Sequence, residues 1–418
     1  ALAVYGLAGY ASLAAVTLPL ALALVASFLE FSLVAKLLAW ALLALALWRY
    51  KENLGRILDG IEPRLGQPLP LPSDGQVVCA FMIHPMTLGD LWQSRRFRWM
   101  RAPVERGLVP KGWVEKLTER FRPMKMGELS GVRTGDGREI RCYLLSAPLL
   151  PEQITRKPEL AVRRAIQAAR LARELGATTI GLGAFWSVVG EQGLLVQEAV
   201  PEIHVTNGGA FTAGTVKASI PRILEHYRRH GKDLKEVTAA VVGASGVVAF
   251  GIARQVAPLV GKLILVGRDH GRLERSAWIL RQANPGTEIL HATRAEEIHE
   301  ADLIFTATSD PGPVILAQYV KEGAWIYDDG RPADVHPSVR DIPGVRVILG
   351  GVVRPPGEMR GNLDLHFGEG LIPACLAETM ILAAEEAWER QSLGPKILME
   401  NIQFYVQKAD EFGFQVVA

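Results

Sequence analysis

Cys375 lies two residues after Pro373 and three before Glu378, in the stretch Pro373-Ala374-Cys375-Leu376-Ala377-Glu378. Proline favours the first turn of a helix, which places the thiol near a helix N-terminus. The backbone dipole there favours the thiolate, the nucleophilic form of cysteine. Glu378 falls on the same helical face, and the stripe continues through Thr379 and Leu382. This pair is the candidate catalytic set: a sulfur that attacks an activated carbonyl carbon, with a carboxylate one turn away. The other use of a lone cysteine is as a small buried hydrophobe, and of such a glutamate as a first-turn partner of the dipole.

A second group is the turn Val242-Gly243-Ala244-Ser245-Gly246-Val247, which follows the apolar run Thr238-Ala239-Ala240-Val241. A buried strand ends at Gly243, which permits the tight turn. Gly246 lets the backbone approach a pyrophosphate, and the helix that follows offers its amides to the phosphates. Lys262-Leu263-Ile264-Leu265-Val266 reads as the next strand and ends in Gly267-Arg268, with Arg272 four residues on. A site for NAD would carry an acidic residue in this region. Arginines suit the 2′-phosphate of NADP instead, so NADPH is the expected cofactor. A strand–turn–helix with a solvated arginine pair is the alternative. A thiolate beside a reduced nicotinamide predicts acyl transfer to Cys375 and hydride reduction of the thioester to an aldehyde.

Other residues carry weaker chemistry. His84, before Pro85, reads as a structural hydrogen-bonder, and His366 precedes Cys375 by nine residues. Asp328 and Asp329 form a carboxylate pair at a strand end, where they shape a pocket or cap a turn. The three cysteines, Cys79, Cys142 and Cys375, have no close metal-ligand spacing, so neither a metal site nor a disulfide framework is expected and a reducing compartment is.

The elements that must position these residues belong to an α/β protein with a Rossmann-type parallel sheet, an α/β substrate domain and N-terminal transmembrane helices. Ala1 to Leu29 carries no charge, and Phe31 to Trp48 carries only Lys36. This apolar block is expected to form one or two spans over 1–48, and Arg49, Lys51 and Arg56 place the remainder on the cytoplasmic side. Prolines 63, 68, 70 and 72 mark 49–75 as a linker. The substrate domain is expected over 76–235, the Rossmann domain over 236–352, and a helical segment carrying Cys375 over 353–418. Between Arg95 and Lys125 ten basic residues alternate with Trp99, Trp113 and Phe121. Such a segment suits an anionic membrane surface or an acidic protein, or else is a solvated helix face with its aromatics in the core. The net charge of +2 gives no argument for nucleic acid.

From about Cys79 onward the chain resembles the cyanobacterial long-chain fatty acyl-carrier-protein reductases. The resembling segments are Ile83-His84-Pro85-Met86-Thr87-Leu88, Gly181-Leu182-Gly183-Ala184-Phe185, Thr212-Ala213, the glycine turn, Asp328-Asp329-Gly330-Arg331-Pro332, Gly350-Gly351-Val352-Val353 and the Cys375 segment. The resemblance implies NADPH-dependent reduction of a long-chain acyl thioester to the aldehyde, with Cys375 carrying the acyl group. It implies an acyl carrier protein or acyl-CoA as donor, membrane lipid as surroundings and an aldehyde-consuming enzyme downstream. It extends the site to Thr212, Ser309 and Glu378, with Thr308 and Gly330 completing the cofactor set. The chain departs from the family at Gly208-Gly209-Ala210-Phe211, at Ala249 and in the N-terminal apolar block. Oxidoreductases of the shikimate-dehydrogenase or glutamyl-tRNA-reductase type share this style of glycine turn and are the competing expectation. A non-catalytic, membrane-tethered NADP-binding protein is the third.

Overall fold

Residues 9–63, 75–92, 97–361 and 363–417 are described by a computed structural model. Two apolar helices, α1 (Ala11–Phe28) and α2 (Leu33–Arg49), pair near the N-terminus, and α3 (Lys51–Asp59) follows with a sharp bend. Among the described residues, α1 alone is by itself long and apolar enough to cross a membrane; α2 and α3 pass together, bent by 56°. Residues 51–59 are therefore helix where a linker is expected, and 64–74 lie outside the described residues.

The first unit is built on a sheet of six strands: β1 (Val77–Ile83), β2 (Met124–Arg133), β3 (Glu139–Ser146), β4 (Thr179–Leu182), β5 (His204–Thr206) and one strand from the C-terminal region. β3, β1, β4 and β5 are parallel, and β2 pairs antiparallel to β3. Parallel pairing of β1 with β3 sets Cys79 opposite Cys142, both reduced and buried. Helix α4 (Pro158–Glu174) opens on its proline and lays Ala161, Ala165, Ala168, Ala169 and Ala172 against one face of the sheet. Small side chains at helical spacing let it approach closely. Helices α5 (Gly209–Gly214) and α6 (Val216–Arg229) lead out of the unit.

The second unit follows the order in which a dinucleotide fold is wound. β6 (Thr238–Val242), α7 (Val247–Val256), β7 (Lys262–Val266), α8 (His270–Ala283), β8 (Glu288–Ala292), β9 (Leu303–Thr306), β10 (Trp325–Asp328) and β11 (Arg346–Leu349) succeed one another along the chain. In space the strands stand β8-β7-β6-β9-β10-β11, all parallel. This is the doubly wound arrangement with its switch point between β6 and β9. The alternation within β6 shows why it is central: Ala239 and Val241 enter one core, Ala240 and Val242 the other. Both faces are covered, so the strand is apolar throughout.

The C-terminal region is not a separate helical segment. Strand β12 (Val352–Arg354) pairs with β14 (Ile372–Pro373) and β15 (Gln415–Val416), while β13 (Gly357–Gly361) joins the first sheet beside β2. Helix α9 (Ala374–Glu385) packs on β1 and β4, and α10 (Met399–Phe412) packs on α5 and α9. Every residue of α9 from Leu376 to Ala384 is buried. One continuous core runs from Phe81 of the first sheet through Leu376 and Met380 to Val241 of the second. The chain thus returns to weld the two units together, and α9 starts at their junction.

Candidate active site

At that junction opens a cleft of about 1190 Å³. The glycine turn, Arg268, Arg272, Thr308, Ser309, Thr212 and Cys375 all line it, so residues from both units and from the C-terminal return face one space. The turn is built for a ligand. Gly243 has φ +89°, and a Cβ there would sit 3.0 Å from the Ala307 carbonyl carbon. The Gly246 N–H donates to the Gly243 carbonyl at 2.7 Å, and Gly246 then caps α7. A third glycine, Gly251, is buried within α7, where a Cβ would come within 2.9 Å of Ala213. It allows α7 to lie against α5, the close packing that the third glycine of such a turn provides.

Arg268 and Arg272 project largely into solvent, held loosely by Asp310 at 3.5 Å and Asp269 at 3.3 Å. Arg275 joins them on the cleft. It was legible from spacing, since it follows Arg272 by three residues and shares its helical face. Three guanidinium groups beyond β7, on the adenosine side of the switch point, fit a 2′-phosphate. The residues present fit NADP(H): glycines where a Cβ would block the pyrophosphate, a helix N-terminus behind them and a cationic group beyond.

Two members of the expected cofactor set serve the scaffold. Gly330 lies off the cleft, and a Cβ there would stand 2.5 Å from the Asp334 carboxylate. The Thr308 side chain lines the cleft but donates its hydroxyl to the buried Asp334, which also accepts from the Thr308 N–H at 2.9 Å and the Thr306 hydroxyl at 2.7 Å. Thr212 reaches the cleft while its hydroxyl donates to the Gly208 carbonyl at 2.7 Å. Ser309, Ala244, Ser245 and Val247 line the cleft.

Cys375 is half-buried in the first turn of α9, as its spacing predicts, but its thiol is not the expected thiolate. Burial and the Glu378 carboxylate push it up to about 12, against backbone N–H groups of Leu376, Ala184 and Cys375 that pull the other way. Desolvation outweighs the helix dipole, so the sulfur is protonated near neutrality. Glu378 faces away from the cleft. It is fully buried and accepts the Phe211 N–H at 2.7 Å and the Thr206 hydroxyl at 2.6 Å, and burial raises its affinity for a proton. The expected catalytic role is corrected to a structural one: Glu378 ties α9 to the end of β5 and to α5.

The loop after β4 also lines the cleft, through Gly183, Ala184 and Phe185. Gly183 makes room for Phe81 and the Met82 carbonyl, 2.6 and 2.8 Å from where its Cβ would be. His84 accepts the Phe185 N–H on Nε2 at 3.3 Å and lies 3.1 Å from the Pro85 carbonyl through Nδ1, and burial lowers its affinity for a proton. It is a structural hydrogen-bonder at the rim of the cleft. Asp328 caps the turn after β10, accepting from the N–H groups of Gly330, Asp334 and Val335 at 3.0, 3.2 and 3.2 Å. Asp329 differs from it. Both of its carboxylate oxygens are buried without a hydrogen-bond partner, and it lines the cleft. Among the described residues no cluster of histidines, cysteines and carboxylates could hold a metal ion.

Comparison with known proteins bears on the second unit most directly. The family described as Shikimate / quinate 5-dehydrogenase matches residues 225–349. Aminotransferase PigE of a Serratia species is 22% identical over 341 residues, 80% of this chain and 39% of that protein, so the chain spans well under half of this curated relative. Among solved structures, a dipicolinate synthase subunit from Bacillus halodurans shares 16% identity over 41% of this chain and 57% of that one, with a TM-score of 0.28. The nucleotide-binding domain of Thermoplasma volcanium glutamyl-tRNA reductase shares 18% over 30% of this chain and 81% of that one, with a TM-score of 0.21. These matches overturn the expected likeness to fatty acyl-carrier-protein reductases and, with it, the acyl-thioester reaction. The physical reason is that the shared segments are mostly glycine turns and strand ends of a dinucleotide fold, which report the cofactor and not the substrate. The second unit is an oxidoreductase-type NAD(P)-binding domain similar to that of shikimate dehydrogenases.

Proposed function

We propose that the chain is an NADP(H)-dependent oxidoreductase, shikimate-dehydrogenase-like in its cofactor unit, acting on a carbonyl compound or its reduced counterpart. The observation that carries this reading is the single cleft shared by the glycine turn and the first unit's wall. NADPH, when bound, supplies a hydride to an electron-poor carbon. The chain's own part is to bind, orient and keep water away. Gly243, Gly246 and the start of α7 hold the phosphates, and the arginines beyond β7 hold the adenosine end. Across the cleft, Ile83, Met86, Leu91, Phe97, Met124 and Met126 form an apolar wall suited to a substrate with an apolar body. Cys375 contributes a neutral thiol between wall and turn. A carbonyl substrate also accords with the partial match to an aminotransferase, since transamination interconverts carbonyl and amino groups.

Helix α1, with leucines 18, 20, 22 and 24 exposed, is the segment that would anchor this enzyme in lipid. Retention of the full chain in membranes through a high-pH wash supports the anchor; complete release in salt overturns it. The function is tested by NADPH fluorescence titration followed by NADPH oxidation with a panel of aldehydes, ketones and 2-oxo acids. Binding at micromolar NADPH with turnover of at least one carbonyl class supports the reading. Absence of NADPH binding overturns it.

A further inference from the structure

We infer that the Asp329 carboxylate is a recognition point for the nicotinamide half of the cofactor, accepting hydrogen bonds from its ribose hydroxyls or its carboxamide. The inference deepens the proposed function and rests on its cofactor assignment. Asp329 follows directly on β10, at the carboxyl edge of the parallel sheet where ligands of doubly wound folds bind. It stands on the opposite side of the β6/β9 switch point from Arg268, and a dinucleotide whose 2′-phosphate meets Arg268 places its other end there.

The carboxylate is prepared for a donor that the chain does not supply. Both oxygens are sequestered from solvent and unpartnered among the described residues, whereas buried polar atoms in native proteins are normally hydrogen-bonded. Space for the group is kept by two glycines of the β11–β12 connection. A Cβ on Gly350 would lie 2.6 Å from the Asp329 Cγ, and one on Gly351 3.0 Å from its Oδ1 and 3.7 Å from the Thr212 methyl. The Gly351 carbonyl accepts the Ala374 N–H at 2.8 Å, so the cradle is one backbone step from Cys375.

The charged and titratable groups around it are few. Asp328 and Asp334 add negative charge, Arg331 opposes them, and Cys375 on α9 is held neutral. The Arg331 guanidinium is already engaged, donating to the carbonyls of Asp328, Gly330 and Gly350 at 3.1, 2.6 and 2.8 Å. Burial first, and the neighbouring carboxylates after it, push Asp329 up to about 7. The form that accepts from a hydroxyl or amide is therefore the one gained as pH rises through neutrality.

The test compares NADPH with adenosine 2′,5′-bisphosphate, which keeps the 2′-phosphate and lacks the nicotinamide half. Fluorescence titration of NADPH, and competition by the bisphosphate, are run on the full chain and on Asp329→Asn at pH 6, 7 and 8. In the native chain the affinity for NADPH relative to the bisphosphate is expected to fall about tenfold from pH 8 to pH 6, as the carboxylate is protonated. In Asp329→Asn the ratio stays flat while bisphosphate affinity is retained, which also shows that the variant is folded. A flat ratio in the native chain, or a wild-type step in the variant, overturns the inference and leaves the cofactor assignment standing. If neither ligand binds at any pH, both fall.

Discussion

Gly208 and Cys375 are in backbone-to-side-chain contact across the two halves of the site: a Cβ on Gly208 would overlap the Cβ of Cys375 and lie 2.5 Å from its Cα. Gly208 also holds φ +72°, a conformation that side chains resist. Gly208→Ala therefore collides with the first turn of α9 and strains its own backbone. It is expected to destabilise the chain by about 2–4 kcal/mol in denaturant unfolding. Stability within 0.5 kcal/mol of the native chain, taken as roughly the range of neutral substitutions, would show that α9 is free to shift.

The thiol of Cys375 should behave as a half-buried, unactivated thiol. With its titration pushed up to about 12, alkylation by iodoacetamide is expected to be slow at neutral pH. The rate should rise about tenfold per pH unit between 7 and 10, following the thiolate fraction. Cys79 and Cys142 are fully buried, so labelling of the folded chain reports Cys375. A rate that levels off by pH 8 would restore the thiolate.

These two residues also mark where the sequence was legible and where it was not. β7 and β10 run over the very residues their apolar runs define, because a strand covered on both faces is written continuously and ended by glycine or a charge. The glycine turn and Arg268 were legible for the same local reason. The short helix α5 was not legible, since Gly208 starts a turn of helix that must fit against Cys375, some 170 positions away in the chain. The state of the thiol was illegible too. Position after a proline reports the dipole, while what overrides it is desolvation by the core around α9 and, after it, the charge of Glu378. Glu378 itself reads as a surface residue until Thr206 and Phe211 are brought to it, 172 and 167 positions away.

Arg268 is the simplest test of cofactor choice. Arg268→Asp removes a cation from the 2′-phosphate and supplies the carboxylate that a ribose 2′-hydroxyl prefers. The ratio of NADPH to NADH affinity should fall by about tenfold to a hundredfold, the equivalent of one charge-assisted hydrogen bond or two. An unchanged ratio would assign the phosphate to Arg272 and Arg275.

Glu378 should matter for folding more than for the cleft. Glu378→Ala strands the Thr206 hydroxyl and the Phe211 N–H in the core. The expected loss is about 2–4 kcal/mol of stability, with NADPH affinity of the folded fraction unchanged. Glu378→Gln keeps an oxygen for the Phe211 N–H and should recover most of that loss. A variant stable but unable to bind NADPH would return Glu378 to the site.

Asp329 has a stability signature of its own, with a sign opposite to that of most carboxylates. Its folded-state titration lies at about 7, above the usual range near 4, because burial disfavours the charge. A carboxyl raised in the folded state binds its proton more tightly there than in the unfolded chain. Its contribution is then neutral at low pH and becomes destabilising as pH rises from the unfolded value through the folded one. Asp329→Asn, which keeps the shape and removes the charge, should leave the melting temperature near the native value at pH 4 and raise it by several degrees at pH 8. Saturating NADPH should narrow the difference at pH 8, because the bound donor stabilises the ionised carboxylate in the native chain alone. A variant that is less stable than the native chain at pH 8 would mean that the charge has a partner in the folded state, and the donor for its two oxygens would then come from within the chain.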